Sequence, residues 1–283
     1  MVCCRRGGET MAERVFITPE TAVSGAHQHM SKRLQKEQEF HDSVFGGGDA
    51  RKQADEYYAV AAHTFDHFHR LVREHFHGGV VLDYGCGNWG AGHAAAEQGA
   101  TLVAIDISPT ALRQYLRALR TRRIGAAYGL QMNAEELAFN DHTFDMVCGM
   151  GVLHHLDLNK SFSEIARTLK PHGQALFMEP MGHNPIINLY RARTPGARTE
   201  DEHPLLYRDF EVARRYFGRV ETSFFNLCTL AAIPLRRTSF LRTLLIVLRS
   251  ADRVLFRTLP FMRRYAWMVV MTLSEPRKDG RAG

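Results

Sequence analysis

The sequence predicts an α/β fold built on a doubly wound, mostly parallel sheet. Between residues 80 and 178, short apolar segments alternate with helical segments. This is the pattern of parallel strands covered by helices on both faces. A glycine-rich turn, Gly85-Cys86-Gly87-Asn88-Trp89-Gly90, joins the first strand to the first helix. Because ligands of such sheets bind at the carboxyl ends of the strands, we expect the functional site beside this turn.

Apolar runs bounded by glycine, proline or polar residues predict the strands. They are expected at Val80–Tyr84, Thr101–Ile105, Ala127–Gln131, Phe144–Met150, Ala175–Met178, Val220–Asn226 and Ala266–Leu273. Helical spacing of apolar residues predicts helices at Gly90–Gln98, from Pro109 onward, at Asn159–Leu169 and at Asp209–Phe217. Ser108 is suited to cap the second of these helices, and Pro109 suits its first position.

The chain divides into three predicted segments. Residues 1–30 show no periodicity, and we expect them to be mobile. Residues 31–76 carry apolar residues on one helical face and are expected to form an N-terminal helical lid. Residues 77–283 form the main domain, with a helical and basic insertion at about 230–264.

Composition excludes several classes of protein. The 283 residues are 45% hydrophobic and 23% charged, with a formal net charge of +6. These values fit a globular chain rather than a disordered tail, a collagen or a coiled coil. The five cysteines include no Cys-x-x-Cys pair, so we expect neither a zinc site nor a disulfide framework, and a cytoplasmic setting. No apolar run indicates a signal peptide or membrane span, and Met1 and Met11 both fit as the start.

The glycine turn and the residues around it suggest a nucleoside ligand. Glycines allow close approach of a ligand to the backbone, and Asp106, at the end of the second strand, can accept hydrogen bonds from ribose hydroxyls. The spacing Gly85-x-Gly87-x-x-Gly90 alone also fits a nicotinamide dinucleotide. However, Asp83 would repel a pyrophosphate and could face the ammonium of a methionine moiety. Asn133-Ala134-Glu135, after the third strand, could read an adenine edge.

Five segments resemble motifs of the class I S-adenosylmethionine-dependent methyltransferases of the small-molecule type, and the resemblance covers about residues 78–180. The segments are Leu82-Asp83-x-Gly85-Cys86-Gly87, Val103-Ala104-Ile105-Asp106-Ile107-Ser108, Asn133-Ala134-Glu135-Glu136-Leu137-x-Phe139, Phe144-Asp145-x-Val147 with Leu153-His154-His155, and Leu169-Lys170-Pro171-His172-Gly173. Trp89 stands where the family usually has glycine, which places a bulky ring near the methionine end. Asn133 replaces the commoner aspartate.

The resemblance implies a Rossmann-like sheet with an antiparallel last strand and S-adenosyl-L-methionine as cofactor. The implied cofactor-binding residues are Asp83, Gly85, Cys86, Gly87, Trp89, Asp106, Ile107, Asn133, Ala134, Glu135 and Met150. The implied reaction is methyl transfer to a small, apolar acceptor, a natural product or lipid-like molecule. We favour an oxygen acceptor because candidate histidine bases are present. An NAD(P)-dependent oxidoreductase, an RNA methyltransferase and a non-catalytic cofactor-binding homologue remain alternatives.

Three histidines are candidate proton acceptors. His154 and His183 follow strands at the carboxyl edge of the sheet, and His41 belongs to the expected lid. His63 and His67 lie four residues apart on a helix, but no third ligand is evident nearby, so no metal site is predicted.

The insertion at 230–264 contains eight arginines among leucines and valines. A basic amphipathic helix of this kind suits peripheral contact with an anionic membrane or lipid, a roof over an apolar substrate, or packing on the core. No RNA-binding module is evident, so nucleic acid is not an expected partner.

Overall fold

The computed structural model describes residues 32–47, 55–199 and 202–277. The N-terminal segment expected to be mobile, residues 1–30, and the two candidate start methionines lie outside the described residues.

The centre of the fold is a sheet of seven strands within the described residues. The strands are β1 (Val80–Tyr84), β2 (Thr101–Asp106), β3 (Ala127–Gln131), β4 (Phe144–Met150), β5 (Leu169–Pro180), β6 (Phe217–Phe225) and β7 (Met268–Pro276). Their order is β3-β2-β1-β4-β5-β7-β6. Strand β7 pairs antiparallel with both of its neighbours, and the pairs from β3 to β5 are parallel. The predicted Rossmann-like sheet with an antiparallel last strand is confirmed.

Helices cover both faces of this sheet. They are α1 (Lys32–Phe45), α2 (Asp55–His75), α3 (His93–Ala96), α4 (Pro109–Thr121), α5 (Leu158–Thr168), α6 (Pro185–Arg193), α7 (Asp209–Tyr216) and α8 (Leu241–Thr258). Helix α4 starts as predicted, with Oγ of Ser108 accepting a hydrogen bond from Ala111 N–H at 3.1 Å. Helix α3 is shorter than predicted, because the backbone at residues 90–92 turns around the side chain of Asp83.

Each face of the sheet buries its own hydrophobic core. On one face, Phe68 and Val72 of α2 and Tyr115 of α4 pack near the centre of the sheet. On the other face, Phe162 of α5 and Phe210 of α7 are almost completely buried. Burying both faces of the sheet leaves its carboxyl edge as the place where loops can form a site.

The segment at 230–264 packs at the end of the sheet near β6. It comprises most of the 3₁₀ helix Cys228–Leu235, then α8 and nearly all of a second 3₁₀ helix, Pro260–Tyr265. Leu245 and Phe256 attach α8 to the core, and the buried Asp252 carboxylate accepts the Cys228 N–H at 2.6 Å. In the described part of the chain, no helix combines the length and apolar character needed to span a bilayer.

Candidate active site

A cavity opens at the carboxyl edge of the sheet, between the ends of β1, β2 and β4 and the helices α1 and α6. It brings together most of the residues predicted from the sequence. The predicted residues in its lining are His41, Gly85, Cys86, Gly87, Trp89, Asp106, Ile107, Asn133, Ala134, Met150 and His154. The segment at 230–264 contributes no residue to this lining.

The glycine turn forms the floor of the cavity. Gly85 has φ +65°, and a Cβ atom there would lie 2.3 Å from Cγ2 of Val152, so only glycine fits this position. Gly87 has φ +53° and donates its N–H to Oδ2 of Asp106 at 2.7 Å. The second oxygen of Asp106 accepts the N–H of Ser108 at 2.8 Å. The turn and the end of β2 are therefore held together by one carboxylate that also lines the cavity.

Asp83 lies behind the turn, and its side chain is completely buried. Its carboxylate accepts the N–H groups of Ala91 at 3.3 Å and Gly92 at 2.8 Å, together with the Tyr115 hydroxyl at 2.6 Å. Burial raises the pKa of Asp83 to about 6, although these hydrogen bonds oppose the shift. This position differs from the predicted one, a carboxylate facing a methionine ammonium, because the loop N–H groups hold the side chain under the turn.

Asn133 and Ala134, which follow β3, line the cavity, but the next residue, Glu135, does not. Oδ1 of Asn133 accepts the Glu135 N–H at 3.0 Å, which fixes a local turn. The Glu135 carboxylate points to a different partner, the Arg33 guanidinium of α1, and also accepts the Asp157 N–H at 2.9 Å. Glu135 therefore anchors α1 and lies outside the cavity lining, in contrast to its predicted place beside the cofactor.

Trp89 stands at the rim of the cavity. Its side chain is 56% exposed and stacks against Phe65 of α2 with ring centroids 6.0 Å apart. The bulky ring that replaces the usual glycine therefore borders the cavity and remains more than half exposed.

His154 lines the end of the cavity beside His155 and is paired with a buried carboxylate. Its Nδ1 is 2.8 Å from Oε2 of Glu179, the carboxyl-end residue of β5. The other Glu179 oxygen accepts the N–H groups of Val152 and Leu153, both at 2.9 Å. Burial raises the pKa of Glu179 to about 7. Burial, followed by the positive charge of Arg191, lowers the pKa of His154 to about 3.

Helix α1 covers the same end of the cavity. Glu37 and His41, one turn apart, face His155 of the loop after β4, with Oε2 of Glu37 3.4 Å from Nε2 of His41 and 3.6 Å from Nδ1 of His155. Burial would raise the pKa of Glu37, but the adjacent His155 and His41 imidazoles hold it well below its usual range. Burial lowers the pKa of His155 to about 4. His41 thus belongs to the cavity lining.

His183 does not belong to this cavity lining. Its Nε2 accepts the Tyr207 N–H at 3.3 Å in the loop after β5. Glu37 was not predicted as a site residue, although its spacing of four residues from His41 on an amphipathic helix was a usable signal. Arg191 and Arg198, which line the cavity from the region after β5, were not predicted either.

A family comparison agrees with this geometry. Residues 82–177, from β1 into β5, match the family model described as a methyltransferase domain. Residues 82–177 therefore form a methyltransferase domain, and this match covers about a third of the chain. The alternative of a nicotinamide-dependent oxidoreductase is not supported by this match.

Curated relatives match about a third of the chain. An uncharacterized protein of Methanocaldococcus jannaschii is 36% identical over 97 residues, which are 34% of this chain and 39% of that protein. Demethylmenaquinone methyltransferase of Bacillus cereus is 34% identical over 110 residues, 36% of this chain and 45% of the relative. The chain therefore matches about half or less of the length of these relatives.

Solved structures share the fold over a longer range. Phosphoethanolamine N-methyltransferase 2 of Haemonchus contortus, in complex with S-adenosylhomocysteine, has a TM-score of 0.57 at 18% identity and covers 89% of this chain and 62% of its own. Geranyl diphosphate C-methyltransferase of Streptomyces coelicolor has a TM-score of 0.56 at 14% identity, covering 87% and 99%. At these identities the likeness concerns the fold alone.

Proposed function

We propose that this protein transfers a methyl group from S-adenosylmethionine to a small-molecule acceptor. The observation that carries the proposal is the cavity in which the glycine turn, Asp106 and the segment Asn133-Ala134 converge on one ligand-sized space. Asp106 would accept the ribose hydroxyls, Asn133 and Ala134 would contact adenine, and the turn at Gly85 would hold the methionine part. Asp83 would act indirectly, by fixing the turn from behind.

The acceptor would bind at the end of the cavity that contains His154. Phe40, Tyr190 and Trp267 also line the cavity, and large aromatic surfaces favour an apolar acceptor. This supports a natural product or lipid-like molecule as the acceptor. The names of two similar proteins contain molecules of that class, demethylmenaquinone and geranyl diphosphate.

An oxygen acceptor is favoured by the pair of His154 and Glu179. In the proposed step, the acceptor oxygen attacks the methyl carbon, the bond from that carbon to the sulfonium sulfur breaks, and neutral S-adenosylhomocysteine leaves. The hydroxyl proton passes to Nε2 of His154 while Nδ1 releases its proton to Glu179. A carboxyl group with a pKa near neutrality is suited to receive it.

Isothermal titration with S-adenosylmethionine and S-adenosylhomocysteine tests the cofactor assignment. We expect both to bind at sub-millimolar concentration, and binding of NADH in place of either would contradict the proposal. Incubation of a cell extract with the isotope-labelled cofactor, followed by mass spectrometry, identifies the acceptor. A labelled product in which the methyl group is on carbon or nitrogen would contradict O-methylation while leaving methyl transfer intact.

We also propose that the segment at 230–264 contacts an anionic lipid surface. Large apolar side chains that are more than half exposed lie on or beside α8: Phe240, Ile246, Val247, Val254 and Phe261. The same segment contains eight arginines, and its only acid, Asp252, is buried. Exposed apolar groups in a basic segment match the headgroup region of an anionic bilayer.

A further inference from the structure

The cluster of Glu37, His41 and His155 has polar atoms that the proposed methyl transfer leaves unexplained. Glu37 is only 4% exposed, yet neither of its carboxylate oxygens has a hydrogen bond among the described residues. Nδ1 of His155 is likewise buried without a hydrogen bond in that part of the chain. A buried carboxylate without hydrogen bonds is costly, so a partner of another kind is expected.

The distances in the cluster fit ligands around one ion. Oε2 of Glu37 lies 3.4 Å from Nε2 of His41 and 3.6 Å from Nδ1 of His155, which is long for a hydrogen bond. Ligand atoms about 2.0 to 2.2 Å from a tetrahedral metal lie about 3.3 to 3.6 Å from one another. One ring nitrogen each of His41 and His155 and a carboxylate oxygen of Glu37 all lie within 4.8 Å of one another.

We propose that Glu37, His41 and His155 bind a divalent transition-metal ion at the acceptor end of the cavity. Two imidazole nitrogens and one carboxylate oxygen suit ions such as Zn²⁺, Co²⁺ or Fe²⁺ and disfavour Mg²⁺ and Ca²⁺, which prefer oxygen ligands. Three protein ligands leave a coordination position for a further molecule. All three residues line the cavity, so that position would be open to an oxygen of the acceptor.

The site would also join α1 to the rest of the protein. Glu37 and His41 come from α1, whereas His155 comes from the loop between β4 and α5. Metal binding itself is independent of the proposed function; only the contact with an acceptor oxygen rests on it.

Titration of the metal-stripped full-length protein with Co²⁺ tests the site, because the visible ligand-field absorption of this ion reports its ligands. We expect saturable binding of one equivalent that Zn²⁺ displaces and Mg²⁺ does not. Glu37→Gln and His41→Ala should each weaken Co²⁺ binding by more than about 100-fold. His63→Ala is the matched control, because His63 also has a histidine four residues away on a helix. The Co²⁺ affinity of this variant should equal that of the unaltered protein.

Absence of a saturable Co²⁺ signal in the unaltered protein would overturn the site, whatever the variants do. Equal affinities in Glu37→Gln, His41→Ala and His63→Ala would overturn the ligand assignment. Titration of the same samples with S-adenosylhomocysteine separates this result from the methyl-transfer proposal. A protein that binds S-adenosylhomocysteine but fails to bind Co²⁺ contradicts the metal site alone. A protein that binds Co²⁺ but fails to bind S-adenosylhomocysteine contradicts the proposed function alone.

Discussion

Nδ1 of His154 lies 2.8 Å from Oε2 of Glu179, and both side chains are buried at the end of the cavity. The carboxylate also binds the N–H groups of Val152 and Leu153, so it fixes the loop that carries the imidazole. Burial raises the pKa of Glu179 and lowers that of His154, so the surroundings favour the uncharged form of both side chains.

The activity of the enzyme should therefore rise with pH through about 7, since Glu179 must be ionised before the pair can receive a proton. Glu179→Gln should abolish this inflection, and His154→Ala should lower kcat by roughly 100-fold or more with little change in the affinity for S-adenosylhomocysteine. Rates measured across pH with the identified acceptor check both. His183 lies outside the cavity lining, so His183→Ala should keep the pH profile of the unaltered protein. Loss of kcat in His183→Ala but not in His154→Ala would show that His154 is not the proton acceptor.

Asp106→Ala should weaken S-adenosylhomocysteine binding by about 100-fold, because hydrogen bonds to a charged acceptor contribute about 1.5 to 3 kcal/mol each. Asp106→Asn keeps an acceptor oxygen toward the loop and should have a smaller effect. Isothermal titration measures both affinities. Asp141→Ala removes a carboxylate that contacts Arg167 on the surface, and its affinity should be normal. Unchanged binding in Asp106→Ala would exclude this carboxylate as the ribose ligand.

Arg33→Ala should loosen α1. Arg33 bonds to the Glu135 carboxylate, which is 4% exposed, and donates to the His155 carbonyl at 3.0 Å. Its loss leaves Glu135 with Lys160 at 3.8 Å as a weaker ion-pair partner, at a cost of roughly 2 kcal/mol. Faster proteolytic cleavage within α1 is the expected readout.

Arg214→Ala serves as the comparison for that variant, because Arg214 and Glu211 form an ion pair of exposed side chains. Its loss should cost less than about 0.5 kcal/mol and leave the cleavage of α1 unchanged. Equal cleavage rates in the two variants would show that Arg33 does not anchor the helix.

Asp83 should make the stability fall as pH rises from about 4 to about 6. Its folded pKa is about 6, above the ordinary value of 3.8, so the folded state binds more protons than the unfolded state in this window. The loss attributable to this group is as much as about 3 kcal/mol. Urea unfolding at several pH values should show a smaller decline in Asp83→Asn. An identical decline in both proteins would mean that Asp83 ionises normally.

The unaltered protein should sediment with anionic vesicles and should not sediment with neutral vesicles. Replacement of the exposed Ile246 and Val247 by aspartate should reduce binding at least 10-fold, because it removes apolar contact and adds like charge. Aspartate at the exposed Thr121, on α4, controls for the added charge. Equal retention on neutral vesicles would contradict an electrostatic lipid contact.

The sequence predicted the strands well because their apolar runs are local and bounded by clear turn residues. The glycine turn and Asp106 were likewise predictable, since their chemistry depends on short spacings. The direction of the Asp83 side chain was not predictable, because it depends on N–H groups eight and nine residues further along the chain. The meeting of Glu37 with His155 depends on the docking of α1, and no local pattern encodes a contact between residues so far apart in the chain.

Helix α1 contacts both the glycine turn and His155. Asp42 accepts a hydrogen bond from the Ser108 hydroxyl at 2.5 Å, and a Cβ atom at Gly87 would lie 3.5 Å from the Phe45 ring, while the His41 ring lies edge to face with that of His155. A single helix thus touches the places assigned to donor and acceptor. An acceptor that stabilises this position of the helix will raise the affinity for the donor. Thermodynamic reciprocity then requires the donor to raise the affinity for the acceptor by the same factor.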